Sequence, residues 1–98
     1  LYISSSDNYV EVHYQQKGQH ARTILRSTMT RMETLLQTQS HIIRSHRSYI
    51  VNLHQIASVK AKGKGLELSF RDYDLTIPAS SKYKDHVLTN VQRSNVPV

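Results

Sequence analysis

Arg44-Ser45-His46-Arg47-Ser48-Tyr49-Ile50-Val51-Asn52-Leu53 begins polar and ends apolar, and that order decides how the chain folds around it. Tyr49, Ile50 and Val51 are aromatic or β-branched and favour a strand. The two guanidiniums, the imidazole and the two hydroxyls ahead of them are therefore held at the mouth of that strand. The neighbourhood is sorted by charge as well. No carboxylate lies between Glu33 and Glu67, while Arg44, Arg47, Lys60, Lys62, Lys64, His41, His46 and His54 all fall inside that window. An anchored loop dense in donors and free of acids suits a polyanion. Ser45 and Ser48 add hydroxyls of the kind that bond phosphate oxygens, and arginine can also grip a guanine edge with two bonds.

The whole chain fits that expectation. Its 98 residues suffice for one domain with a small core and are too few for two. Thirteen Lys and Arg against seven Asp and Glu give a formal net charge of +6, which favours nucleic acid, an anionic membrane surface or an acidic protein as partner. The absence of cysteine removes disulfides, thiolate chemistry and cysteine-based metal sites, and agrees with a reducing compartment, the cytoplasm. No apolar run reaches transmembrane length. The start, Leu1-Tyr2-Ile3, is already strand-like and has no signal-peptide pattern, so the chain reads as a piece cut at a domain boundary.

Upstream of the opening stretch, Asn8 to Tyr14 alternates, with Val10, Val12 and Tyr14 expected inward and Tyr9, Glu11 and His13 outward. Gln16-Lys17-Gly18 turns the chain into a second strand, His20 to Arg26, with Ile24 toward the core. The period then changes. Met29, Met32, Leu35 and Leu36 recur at three and four, which predicts a helix over 27–37 with Ser27 or Thr28 as N-cap. Downstream, Ile42-Ile43, Ala57-Ser58-Val59, Leu66 to Phe70 and Leu75-Thr76-Ile77 are further short strands. Lys62-Gly63-Lys64-Gly65 and Arg71-Asp72-Tyr73 form the turns between them. Ser80 is placed to cap a last helix running to about Val91, with Tyr83, Val87, Leu88 and Val91 inward. The expected architecture is mostly β, small antiparallel sheets with two short helices, one domain over 1–93 and a frayed tail over 94–98.

Each candidate residue also has a plainer reading. Asn52, leaving a strand, is expected to bond its own backbone in an Asx-type turn, and Tyr49 to be half core with its hydroxyl near water or phosphate. Lys60, Lys62 and Lys64 alternate on one strand face and make either a solvated edge or a phosphate-facing row, and the sequence leaves both open. His46 with His54, or His13 with His20, are the pairs that could converge on a metal, but neither spacing is that of a helical metal motif and no acid adjoins His46. Asp72 and Asp74 resemble edge charges more than a Mg²⁺ site, so no catalytic residue, metal or cofactor is assigned. A rival binding mode uses Tyr2, Tyr9, Tyr14 and Tyr49 as stacking platforms for RNA or single strands.

Four segments taken together resemble the LytTR DNA-binding domain, the output module of many bacterial response regulators. They are Asp7-Asn8-Tyr9-Val10; Arg26 with Thr28, Met29, Met32, Glu33 and Leu36; the stretch Arg44 to Leu53; and Ile77-Pro78-Ala79-Ser80 followed by Lys82 and Tyr83. The resemblance covers nearly the whole chain. It implies an elongated, mostly β domain that reads double-stranded DNA with strand-connecting loops and performs no catalysis. Three contact regions are implied: Asn8 and Tyr9; Arg44, His46, Arg47 and Ser48; and Ser80, Ser81, Lys82 and Tyr83. The outer two would address successive major grooves and the middle one the minor groove between them. Ser81 stands where many members carry a basic residue, so the third region is expected to grip less strongly or to read a different base. The family's usual logic adds an N-terminal receiver, from a two-component system, that pairs two domains on repeated half-sites, the isolated domain being monomeric.

Overall fold

The structure, a computed structural model, describes residues 1–71 and 74–93. In chain order these residues form β1 (Tyr2–Ser6), β2 (Tyr9–Gln16), β3 (Gln19–Leu25), α1 (Met29–Leu35), β4 (Ile42–His46) and β5 (Tyr49–Asn52). A single 3₁₀ turn over Leu53–Gln55 leads on to β6 (Ile56–Lys62), β7 (Gly65–Phe70), β8 (Thr76–Ala79) and α2 (Lys84–Arg93). The strands make two antiparallel sheets, one of five in the order β3-β2-β1-β5-β4 and one of three in the order β6-β7-β8. The mostly β expectation with two short helices is met.

The middle of the larger sheet is covered on both faces. Neighbouring residues of a strand point to opposite sides, yet Tyr2 and Ile3 of β1 are both buried, as are Ile50 and Val51 of β5. Ile3, Val10 and Ile50 pack with Met29 and Met32 of α1. Tyr2, Ile43 and Val51 pack with Leu68, Phe70 and Ile77 of the smaller sheet and with Val87 and Val91 of α2. Fully burying one such side chain contributes about 1.5–3 kcal/mol. That double cover is why Tyr49 to Leu53 is apolar without alternating, and it locks the strand beneath the donor-rich turn.

Several expectations are corrected by this arrangement. His13 points into the structure, where its ring stacks on that of its cross-strand partner Tyr2 at 4.2 Å, because the second sheet covers the face that alternation alone assigned to water. Ile24 is 54% exposed: β3 is an edge strand, beyond the reach of either core. Leu35 is 66% exposed. At about 100° per residue, Met29, Met32 and Leu36 share one narrow arc of the helix and Leu35 falls outside it. The helix is also shorter than predicted, Met29–Leu35, with Thr28 as N-cap accepting from the Arg31 amide. Ser80 does not cap α2, which begins only at Lys84, directly after a turn over 81–83. Asp72 and Tyr73, expected at a hairpin tip, and the tail 94–98 lie outside the described residues.

Asn52 behaves as expected: its side chain accepts from the His54 amide at 2.9 Å and starts the 3₁₀ turn. Lys17 and Gly18 both adopt positive φ, 52° and 78°, which is what a two-residue hairpin between twisted strands demands. The extents are 32 × 30 × 26 Å with a radius of gyration of 12.8 Å, so the elongation is slight.

Candidate nucleic-acid interface

Strand register carries five separate segments to one end of the molecule. The β1–β2 turn at Asp7 and Asn8 lies there. Because Ser4 of β1 pairs with Tyr49 of β5, the β4–β5 turn at Arg47 and Ser48 lies beside it. A bond from the Ser5 amide to the Ser48 carbonyl, 3.0 Å, ties the two together. The end of β3 pairs with the start of β2, Leu25 with Val10, and so brings Arg26, Ser27 and Thr28 around a shallow cleft with Asp7 and Asn8. On the other side, the Ser80 amide donates to the Ser45 carbonyl at 2.9 Å, which docks Ser80 to Tyr83 against β4. Finally β7 starts beside the end of β8, Leu66 opposite Ala79, so the β6–β7 tip joins the same rim. The β2–β3 turn with Lys17 is at the opposite end.

Two residues build the middle of this rim. The ladder between β4 and β5 shifts between Arg44 and His46. Ser45 is the extra residue of that bulge, turned out of the ladder. It is 0% exposed; its hydroxyl donates to the Pro78 carbonyl at 3.1 Å, and its own carbonyl takes the Ser80 amide. Arg44 works on the other side. Its guanidinium donates to the Arg47 carbonyl at 2.8 Å, the His46 carbonyl at 3.3 Å, Glu33 Oε1 at 3.2 Å and Thr30 Oγ1 at 3.4 Å. It also lies over the Tyr83 ring, 5.9 Å from the centroid. One side chain thus joins α1, the 46–48 turn and the third segment.

The sequence of residues 1–92 matches the LytTr DNA-binding domain family. The chain belongs to the LytTR family of DNA-binding domains. The fold agrees. A solved structure from Bacillus cereus, the LytTr DNA-binding domain of a protein described as a methyl-accepting/DNA response regulator, superposes with a TM-score of 0.70. The match is at 20% identity over 92% of this chain and 78% of that one. No curated protein matches the sequence. The family binds DNA and is not a catalytic one.

The rim of this LytTR domain offers cations outward. Arg26, Arg47, Lys64 and Lys82 are exposed there and make no ion pair among the described residues. Asn8 and Tyr9 are exposed too, Ser81 likewise, while Ser48, Ser80 and Tyr83 are half-buried. Lys82 lies over the Tyr83 ring at 5.5 Å. All ten residues singled out from the sequence therefore reach this end, but Arg44 faces the protein with a side chain only 13% exposed. Arg26 and the lysines of the β6–β7 tip were not among those ten. The strand register places them on the rim.

His46 is fixed by the turn it helps to make. Its Nδ1 accepts from the Ser48 amide at 3.1 Å, which places the proton of the neutral ring on Nε2. Burial holds its pKa below the usual 6.5, and the charges of Arg47 and Arg44 push the same way. His13 is also lowered from 6.5, by burial first; Glu11 opposes the shift and His20 and Arg22 add to it. Both rings are therefore neutral in the fold at a pH where the unfolded chain begins to take up protons. Where the unfolded state binds more protons, stability falls as pH falls. Thermal denaturation should accordingly move to lower temperature once pH drops below 6.5, and His46→Asn, which keeps a short acceptor but does not titrate, should flatten part of the slope. A midpoint that is constant or rises on acidification would contradict this account.

The rival readings fare differently. His13 Nδ1 and His20 Nε2 do meet, at 3.1 Å. His54 instead stacks on His41, centroids 4.5 Å apart. Among the described residues no three His, Asp or Glu side chains converge. Of the tyrosines proposed as stacking platforms, Tyr2 is buried against His13, Tyr14 is half-buried and bonded to Thr23, and Tyr49 packs on the larger core. Tyr9, 46% exposed, is the one with an open face. Among the described residues no helix is long and apolar enough to cross a membrane.

Proposed function

We propose that this domain binds double-stranded DNA sequence-specifically, as the effector of a bacterial, cytoplasmic transcriptional regulator, with loops and not a helix entering the grooves. The observation that carries the reading is the gathering of the three family regions, from distant parts of the chain, on one cation-rich rim. The molecule is 32 Å across at its longest, and one duplex turn is about 34 Å. A molecule of that size can meet two successive major grooves with the outer segments, Asn8-Tyr9 and Ser80 to Tyr83, and the minor groove with the middle one.

In this reading the roles divide. Arg47, exposed at the tip of the middle turn, contacts the minor groove or phosphate. Ser48, Ser80 and Lys82 hold phosphates. Asn8, Tyr9, Ser81 and Tyr83 face base edges or the sugar-phosphate rim. His46 offers its Nε2 proton and, with Arg44, keeps the turn in shape. A receiver domain upstream, from a two-component system, would pair two such domains on repeated half-sites.

Selection from a randomised duplex library tests specificity, since a specific reader returns a half-site and its spacing, and a pool without consensus would reject the proposal. Arg47→Ala should then weaken binding to the selected duplex by about 1–3 kcal/mol if the guanidinium touches bases, or lower the salt slope by about one unit if it touches phosphate. Unchanged isotherms across a salt titration would remove Arg47 from the interface. Competition by single-stranded RNA at matched salt should be weak, because one open tyrosine among the described residues does not make a stacking track.

A further inference from the structure

We propose that the β6–β7 hairpin tip is a fourth DNA-contacting element, in which Lys64 and Lys62 hold backbone phosphate and Glu67 restrains Lys62 until DNA is bound. The inference rests on the reading of the rim as a duplex-binding surface. It is carried by position. The tip is pressed against the third contact segment: a Cβ on Gly65 would run into the Ala79 carbonyl, so only glycine lets β7 begin so close to the end of β8. The result is a cleft of about 430 Å³ with Lys62, Gly65 and Glu67 on one wall and His46, Ser80 and Ser81 on the other. Residues of the middle and third contact segments thus share one concavity with a lysine of the tip.

The charges point the same way. Lys60 and Lys62 alternate on β6, the outer strand of its sheet, and Lys64 stands at the turn beside Gly63, whose φ is +58°. Were the row only a guard against edge pairing, its charges would be needed along the strand, not at a tip wedged beside Ser80 and Ser81. Glu67 is the one acid on this wall of the cleft, and it is engaged: Lys62 Nζ donates to its Oε2 at 3.0 Å, with Lys62 74% exposed. An exposed pair of this kind is weak, so a phosphate can take the lysine over.

The test is a salt titration of binding to a duplex recovered by site selection, with Lys17→Ala at the opposite end as a control for net charge. Lys64→Ala is expected to lower the slope of log K against log salt by about one unit, while Lys17→Ala leaves it at the wild-type value. Glu67→Gln, which frees Lys62, should tighten binding at low salt by roughly two- to fivefold. Equal slopes for Lys64→Ala and Lys17→Ala, or a Glu67→Gln variant that binds no tighter than wild type, would overturn the inference while leaving duplex binding intact. A wild-type domain that binds no duplex would instead remove the functional reading on which the inference rests.

Discussion

Replacing Arg44 with alanine should cost as much DNA affinity as removing Arg47 from the tip of the turn, and should lower stability at the same time. The guanidinium holds the carbonyls of His46 and Arg47 from inside the turn and is itself held by Glu33 and Thr30 of α1. Hydrogen bonds to a charged group contribute about 1.5–3 kcal/mol each, but Arg47 and Glu33 can turn to water once the clamp is gone, so the net loss of stability is expected near 2–4 kcal/mol. Affinity should fall by roughly 10- to 100-fold, because the Arg47 tip and the ring of Tyr83 both lose their support. Arg44→Lys separates geometry from charge. An ammonium keeps the charge but is a compact point that cannot span two carbonyls and a carboxylate as a planar fork does, so lysine should restore little of either property. Urea denaturation and fluorescence anisotropy read the two losses independently. Full recovery by lysine would show that Arg44 acts through its charge alone.

The clamp also marks where sequence reasoning reaches its limit. The stretch Arg44 to Leu53 declares a donor-rich turn on a buried strand, and the three- and four-residue spacing of Met29, Met32 and Leu36 declares a helix. Both are local signals, and both are found as read. What local patterns cannot say is which face a second layer will cover. Alternation with Val10 and Val12 puts His13 toward water, yet the β6-β7-β8 sheet packs on its side and the ring is buried against Tyr2. Ile24 fails in the opposite sense, since its strand ended as an edge with no layer above it. The same limit applies to the site. Arg44 and Arg47 look equivalent in the sequence, two arginines flanking Ser45-His46, but the bulge at Ser45 sends one inward and leaves the other at the tip. Arg26 and Lys64 join the rim only through the pairing of β2 with β3 and of β7 with β8.

Ser45→Leu is the second substitution with a large expected effect. The residue has no exposed surface and sits between two sheets, with its hydroxyl on the Pro78 carbonyl and its carbonyl on the Ser80 amide. Forcing a larger side chain into a close-packed site costs about 1–3 kcal/mol, and leaving the Pro78 carbonyl without its donor adds about 1–3 kcal/mol. A combined loss of about 2–6 kcal/mol is a large share of the stability of a domain this small. Ser45→Ala removes only the hydroxyl and should cost only the second of these amounts, so it can be studied folded. In that variant β8 and the segment that follows it are held to Ser45 by one bond, from the Ser80 amide, where there were two. If the three segments act as one surface, Ser45→Ala and Lys82→Ala should be non-additive in duplex affinity, the second change costing less once the first has loosened its support. Strict additivity would mean that Ser80 to Tyr83 meets DNA independently of the turn beside it. A Ser45→Leu protein with the wild-type denaturation midpoint would show that the bulge is not the joint between the two sheets.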